Sequence, residues 1–127
     1  MRQLLLDTHV ALWALSAPDT LTRRVRTFIE DPRTTVLVSA ASVWEVEIKR
    51  ALGKLTAPAG FAGECRKHGF DPLDITFQHA EAASGLPQHH ADPFDRMLIA
   101  QAITEGLDLV TSDSIFKSYD VRLLAAQ

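Results

Sequence analysis

Short apolar runs alternate with amphipathic stretches along this chain of 127 residues. Runs rich in Leu, Val and Ile are typical of strands that are buried on both faces of a sheet. Strands are therefore predicted within residues 3–7, 34–39, 71–76, 107–113 and 121–124, the last of them at a sheet edge.

The stretches between these runs have helical spacing. Helices are predicted at residues 8–15, 21–31, 40–55, 58–69, 77–87 and 93–105. In the third of them, Ser39 is the expected N-cap and Gly53 the expected stop. Its predicted buried face consists of Ala41, Trp44, Ile48 and Ala51. Strands that alternate with helices indicate an α/β domain with a mostly parallel sheet and helices on both faces.

Composition limits the kinds of protein that this chain can be. Its length suits one domain over residues 1–127, and 46% of its residues are hydrophobic. The net charge of −3 is unusual for a nucleic-acid binder, so such a partner would require bound cations or a local basic strip. The single cysteine, Cys65, excludes an internal disulfide and suits the cytoplasm. The N-terminal apolar stretch is too short to span a bilayer, and the six scattered glycines form no phosphate-binding loop.

Acidic residues follow two of the predicted strands. Asp7 comes directly after the first strand and Asp113 after the fourth, so both are expected at the carboxyl edge of the sheet, where such folds bind ligands. Asp92 and Pro93 begin the last helix as N-cap and first residue, which places Asp95 in its first turn. We expect that helix to begin at the opposite edge unless residues 85–91 bring the chain back, and the residues alone leave this open.

Glu45 is the fourth candidate acid, and it flanks the predicted buried face of its helix. A surface ion pair with Lys49 at i,i+4 is the alternative to a functional role, and Glu47 has the same option with Arg50. Several carboxylates in one cleft repel each other unless a cation neutralises them. Ligand sets made only of oxygen suit Mg²⁺ or Mn²⁺, so this pattern favours metal-dependent phosphodiester hydrolysis.

Four motifs, in order and spread over the chain, carry a specific resemblance: "LLLDTHVALWAL", "VSAASVWEVEIKRALGKL", "HADPFDRMLIAQAITEGLDLVTSD" and "FKSYDVRLL". Together they resemble the PIN-domain ribonucleases, in particular the VapC-type toxins of bacterial toxin–antitoxin pairs. The resemblance implies a three-layer α/β/α sandwich with a mostly parallel central sheet and with the acids gathered at one edge.

Site residues follow from the same resemblance. It assigns catalysis to Asp7, Glu45, Asp95 and Asp113. Of these, Asp7 and Asp95 would bind Mg²⁺ or Mn²⁺ directly, and the other two through water. Residues that would orient bound waters or the metal-binding carboxylates without binding the metal are Thr8, Thr111 and Ser112. Asp92 would be mainly an N-cap and would assist these residues.

The implied reaction is endonucleolytic cleavage of RNA, such as tRNA or rRNA, that leaves a 5′-phosphate and a 3′-hydroxyl. The implied partners are a VapB-type antitoxin and a second copy of the chain, with no membrane. Arg96 and Lys49 are candidates to meet RNA phosphates, although Arg96 has an ion pair with a nearby acid as its alternative.

Other interpretations stay open at this point. A catalytically silent PIN-like dimerisation or binding module and a metal-dependent DNase or phosphatase both fit the same residues. A receiver-type domain fits less well, because Asp7 has no acidic neighbour. His89 and His90 are adjacent residues in a predicted loop, which disfavours a transition-metal site there.

Overall fold

Five parallel strands form one sheet in the computed structural model, which describes residues 2–57 and 59–127. The strand order is β3-β2-β1-β4-β5. Their bounds are β1 Gln3–Leu6, β2 Thr35–Ser39, β3 Asp71–Leu73, β4 Asp108–Thr111 and β5 Leu123–Ala125. Every neighbouring pair is parallel, which confirms the predicted sheet and the edge position of the last strand.

Six α-helices connect the strands in the part of the chain that the structure describes, as predicted. Their bounds are α1 Thr8–Ser16, α2 Arg23–Glu30, α3 Ala40–Ala51, α4 Phe61–Lys67, α5 Phe77–Ser84 and α6 Pro93–Glu105. The helix expected at 58–69 is α4, and Pro58, where that expectation began, lies outside the described residues. Two short 3₁₀ helices, Pro18–Thr20 and Ser114–Ser118, complete the order.

The central strand β1 is buried on both of its faces. Leu4 and Leu6 belong to one apolar cluster, whereas Leu5 belongs to another, because successive side chains of a strand point to opposite faces. Phe61 of α4 packs into the first cluster and Leu98 of α6 into the second. Helices therefore cover both faces, which confirms the three-layer α/β/α sandwich.

The predicted buried face of α3 is right at Ala41, which is buried, and wrong at Trp44 and Ala51. Trp44 is 62% exposed and stacks edge-to-face on Phe94 at a centroid distance of 5.4 Å, and Ala51 is also exposed. Ser39 does cap the helix, and Gly53 follows its end with a positive φ. The buried residues of α3 are Ala41, Ser42, Glu45 and Val46. Ser42 and Glu45 can be buried because they have hydrogen-bond partners. A prediction from the spacing of hydrophobic residues does not detect buried polar residues of this kind.

The helix α6 begins at the carboxyl edge of the sheet, which is the edge that the resemblance implied and which the residues alone had left open. It ends at Glu105, only two residues before β4 begins at Asp108. A helix that leads directly into a parallel strand has to end where that strand starts, at the amino edge. Its first turn, with Asp95, therefore lies at the edge where β1 ends.

Candidate active site

Asp7 is the residue between β1 and α1, and its carboxylate is buried. Although Asp7 occupies the N-cap position of α1, its side chain makes no capping bond there. Instead Asp7 Oδ2 accepts a 2.8 Å hydrogen bond from the Thr111 hydroxyl. Burial raises the pKa of Asp7, and the nearby Glu45 adds to the rise, while the Thr111 bond and His9 oppose it.

Thr111 also links Asp7 to Asp113. The Thr111 hydroxyl oxygen accepts a 3.1 Å bond from the backbone N–H of Asp113. One carboxylate oxygen of Asp113 accepts from the N–H of Ile115 at 3.1 Å and so caps the 3₁₀ helix that follows. Asp113 thus has a structural task and is exposed at the same edge of the sheet.

Glu45 forms the ion pair that its spacing predicts, but the pair lies within a buried network. Glu45 is only 4% exposed, and its Oε2 is 2.5 Å from Lys49 Nζ. Its Oε1 accepts a 2.7 Å bond from the Thr8 hydroxyl, which also lies 2.8 Å from Ser42 Oγ. The hydrogen bond that Lys49 donates to Glu45 is the main reason that the pKa of Lys49 is raised. Glu47 and Arg50 make the other predicted pair, at 3.3 Å.

Asp92 and Asp95 have different surroundings in the first turn of α6. Asp92 is the N-cap, since its Oδ1 accepts from the N–H of Asp95 at 3.0 Å. Asp95 Oδ2 lies 2.8 Å from Nε2 of His90. The pKa of Asp95 is raised to about 6, mainly by burial; the charges of Asp92, Asp7 and Glu45 contribute to the rise, while the hydrogen bond from His90 opposes it.

One pocket of about 340 Å³ brings the four predicted catalytic acids together. Its lining consists of Asp7, His9, Trp13, Glu45, Lys49, Asp92, Asp95, Ser112 and Asp113. Thr8 and Thr111 are not in that lining and hold Glu45 and Asp7 from behind. Larger cavities of about 440 and 600 Å³ lie elsewhere, and neither contains any of the four acids.

Arg96 does not line this pocket. It also does not contact the nearby acid with which an ion pair was the alternative prediction. The guanidinium donates to four backbone carbonyls, at 2.9 to 3.3 Å, and lies 3.4 Å from the hydroxyl of Tyr119. The carbonyls belong to Ala83, Leu86, Pro87 and His90. These contacts support a structural role for Arg96, which fastens the loop between α5 and α6.

Sequence reasoning did not find the contact between His90 and Asp95, and it left His9 and Trp13 without a place in the site. His90 precedes the N-cap by two residues, which is close enough for a side chain to fold back over the first turn of α6. Trp13 follows Asp7 on the next helix. The position of His90 before α6 and that of Trp13 after Asp7 are the only sequence signals for these contacts. Both are weak, because many residues near the start of a helix make no such contact.

The donor set of the pocket suits a hard divalent cation. The acids crowd together in a partly buried place, where Asp7, Glu45 and Asp92 all raise the pKa of Asp95. Among the described residues, no three His, Cys, Asp or Glu side chains are arranged closely enough to hold an ion by themselves. Mg²⁺ tolerates this arrangement, because it commonly uses one or two carboxylates and keeps several waters.

Comparison with known proteins agrees with this architecture. A family model described as PIN domain matches residues 4–122. Ribonuclease VapC16 of Mycobacterium tuberculosis (strain ATCC 25618 / H37Rv) is 36% identical over 74 residues, or 54% of this chain. That match spans 52% of the relative, about half of its length.

Two solved structures share the fold over nearly the whole chain. One chain of VapBC2 from Rickettsia felis, bound to a DNA fragment from its promoter, gives a TM-score of 0.72 at 16% identity and covers 98% of this chain and 99% of that chain. A chain of DNA-bound VapBC from Salmonella typhimurium gives 0.68 at 18% identity, with 98% of each chain covered. At these identities the likeness shows the fold alone.

No helix in the described residues combines the length and the apolar character that crossing a membrane requires. The PIN domain model matches residues 4–122, which is almost all of the sequence. This chain belongs to the PIN domain family.

Proposed function

We propose that this protein is a metal-dependent endoribonuclease that acts as a toxin and is neutralised by a VapB-type antitoxin. The observation that carries the proposal is the convergence of Asp7, Glu45, Asp95 and Asp113 in one pocket from four separate segments of the chain. Packing several carboxylates together destabilises the fold unless a cation neutralises them, and two of these acids have raised pKa values, as is common at functional sites.

RNA as the substrate and an antitoxin as the partner are supported by the relatives. The curated relative is named a ribonuclease, several structural neighbours are named VapBC, and another is described as a toxin–antitoxin complex. Cleavage of tRNA or rRNA in the cytoplasm is the specific form of the proposal. Association with a second copy of the chain is part of the proposal, and the side chains of Trp44 and Phe77, which are 62% and 90% exposed, are available for such an interface.

In this proposal Asp7 and Asp95 hold Mg²⁺ or Mn²⁺, while Glu45 and Asp113 act through bound water. The bound ion would lower the pKa of a water molecule and stabilise the charge on the oxygens of the phosphate. Thr111 orients the Asp7 carboxylate, and Thr8 orients that of Glu45. The fold therefore brings the four carboxylates together and partly shields them from water, and the two threonines orient Asp7 and Glu45.

Lys49 is proposed to serve both the fold and the substrate. It neutralises Glu45, and 36% of its side chain is exposed in the lining of the pocket. An RNA phosphate that approaches the acids meets this ammonium group, which offsets part of their repulsion.

The test is incubation of the purified protein, freed of any antitoxin, with total cellular RNA in Mg²⁺ or Mn²⁺. Asp7→Asn, Asp95→Asn and an EDTA control are compared with the wild type. Asp120→Asn, which changes an exposed acid outside the pocket lining, is the matched control. We expect discrete fragments from the wild type and from the control variant, and none in EDTA or from the two site variants.

Other outcomes separate the alternatives. Cleavage that persists in both folded site variants would mean that the active site lies elsewhere. Cleavage of single-stranded DNA with equal efficiency would favour a less selective nuclease. If the folded wild type cuts neither RNA nor DNA in either metal, the binding-module alternative takes the place of this proposal.

A further inference from the structure

We infer that His90 is a positioning residue for the metal-binding carboxylate of Asp95. Arg96, in turn, holds the loop that carries His90. The inference rests on the proposed function only in so far as Asp95 binds a divalent cation. It concerns a loop residue outside the acid cluster, and it gives Arg96 a role different from contact with RNA.

The contact between the two side chains is short and partly shielded from water. His90 Nε2 and Asp95 Oδ2 are 2.8 Å apart, and the side chains are 24% and 17% exposed. With the Asp95 carboxylate ionised, Nε2 carries the hydrogen and donates it. One oxygen of Asp95 is then held in place, and the other remains available for an ion.

The same geometry argues against Nε2 of His90 as a metal-binding atom. A ring nitrogen that donates a hydrogen bond has no lone pair left for a cation. Hydrogen bonds to ligating carboxylates are a common device for orienting them and for tuning metal affinity. The arrangement of His90 and Asp95 has the form of that device.

Arg96 fastens the loop that carries His90. Its guanidinium donates to the carbonyl of His90 at 3.3 Å and to that of Pro87 at 2.9 Å. The hydroxyl of Tyr119 donates to the same Pro87 carbonyl at 3.0 Å. Because Arg96 directly follows Asp95 in α6, the anchor of the loop and the carboxylate that the loop serves lie on one rigid turn.

The ring of His90 has further support from the core. It lies at a tilt against Phe116, with 6.5 Å between the ring centroids, and Phe116 is fully buried. His89, its neighbour in the chain, points elsewhere and stacks edge-to-face on Tyr119 at 5.2 Å. Only one of the two adjacent histidines therefore contacts an acid, and the other provides a matched control.

The test is the affinity of the purified protein for Mn²⁺, measured by electron paramagnetic resonance of the free ion, without RNA. His90→Ala removes the donor, His90→Gln keeps an N–H donor on a side chain of similar reach, and His89→Ala is the control. We expect His90→Ala to weaken Mn²⁺ binding roughly 10- to 100-fold, as loss of such a supporting hydrogen bond typically does. His90→Gln and His89→Ala should stay close to the wild type.

Arg96→Lys gives a second measurement. Lys retains the charge but lacks the planar fork that serves several carbonyls at once. If Arg96 acts through His90, Arg96→Lys weakens Mn²⁺ binding in the wild type and adds little in the His90→Ala background, so the two effects are not additive. Circular dichroism confirms that each variant is folded.

The possible failures are distinct. If Asp95→Asn abolishes Mn²⁺ binding and His90→Ala leaves it unchanged, this inference is wrong and the metal site stands. If His90→Gln binds as poorly as His90→Ala while both are folded, the hydrogen bond is not the cause and the inference is also overturned. If Asp95→Asn binds Mn²⁺ like the wild type, the metal site and this inference fall together, whatever the RNA assay shows.

Discussion

The hydroxyl of Thr111 donates a 2.8 Å hydrogen bond to Oδ2 of Asp7, although 104 positions separate the two residues in the chain. The register of the sheet explains this contact. Leu6 of β1 lies opposite Val110 of β4. The residues that follow them, Asp7 and Thr111, therefore lie side by side at the carboxyl edge of the sheet. The pairing of the two central strands therefore positions Asp7 and its hydrogen-bond donor without help from a loop.

Replacing Thr111 with Val is expected to weaken metal binding. The change removes the donor that stabilises the ionised form of Asp7, and a hydrogen bond to a charged group contributes about 1.5–3 kcal/mol. The pKa of Asp7, which burial already raises, should rise further. The Mn²⁺ affinity should fall most near neutral pH, and the deficit should shrink as the pH rises and Asp7 ionises. The measurement is Mn²⁺ affinity across a pH series.

Thr111→Ser is the control for that change, because it keeps the hydroxyl. Its Mn²⁺ affinity should remain near that of the wild type at every pH. Equal affinities for Thr111→Val and Thr111→Ser would contradict the role given to this hydrogen bond.

Asp95→Asn is expected to stabilise the metal-free protein at neutral and alkaline pH. The pKa of Asp95 rises to about 6 in the folded state from an ordinary value of 3.8, mainly through burial. A raised pKa means that protonation favours the fold; this contribution is complete below about 3.8 and is lost as the pH rises through about 6. Asn cannot ionise, so the variant avoids that loss, which is at most about 3 kcal/mol before screening by solvent reduces it.

Urea unfolding in EDTA at several pH values tests this expectation. The advantage of Asp95→Asn should be largest above pH 7 and should diminish as the pH falls towards 4. Saturating Mg²⁺ should reverse the order, since an ion that binds only the folded wild type stabilises it. An advantage of Asp95→Asn that does not depend on pH would show that ionisation is not its source.

The sequence predicted the elements and the acids of the site better than it predicted side-chain directions. Leucine-rich runs such as residues 3–7 have few alternatives to a buried strand, and two of the acids, Asp7 and Asp113, directly follow predicted strands. The face of α3 was predicted wrongly because Trp44 looks like a core residue, while the buried Glu45 depends on partners elsewhere in the fold. His90 meets Asp95 from a loop whose carbonyls accept hydrogen bonds from Arg96, and local periodicity carries no record of these contacts.

Lys49→Gln is expected to destabilise the protein. The variant leaves the buried carboxylate of Glu45 without its cation, and losing a hydrogen bond to a charged group costs roughly 1–3 kcal/mol. The double variant Glu45→Gln/Lys49→Gln should be more stable than the sum of the single changes predicts, because its buried charge is gone as well. Urea unfolding provides the comparison, with Lys54→Gln, an exposed lysine near the same helix, as a control expected to show no effect. Additive effects of the two single changes would show that the pair is not coupled.

Two glycines with equally open surroundings should respond in opposite ways to alanine. A Cβ at Gly106 or at Gly63 would meet nothing within 4 Å, so crowding does not distinguish them. Gly106 ends α6 with a φ of 69°, in the left-handed region, where a Cβ costs about 1–2 kcal/mol. Gly63 lies within α4 and has no positive φ, and Ala at such a position typically adds about 0.4–1 kcal/mol by restricting the unfolded chain.

Thermal and urea unfolding of Gly106→Ala and Gly63→Ala check this pair, both in EDTA so that metal binding does not contribute. The two changes in unfolding free energy should have opposite signs. Gly106 also sets the turn by which α6 leads into β4, so strain there should be felt at the start of β4 rather than in the pocket. We therefore expect Mn²⁺ affinity to be retained in both variants. A stabilising effect of Gly106→Ala would mean that the end of α6 adopts an ordinary helical conformation in solution.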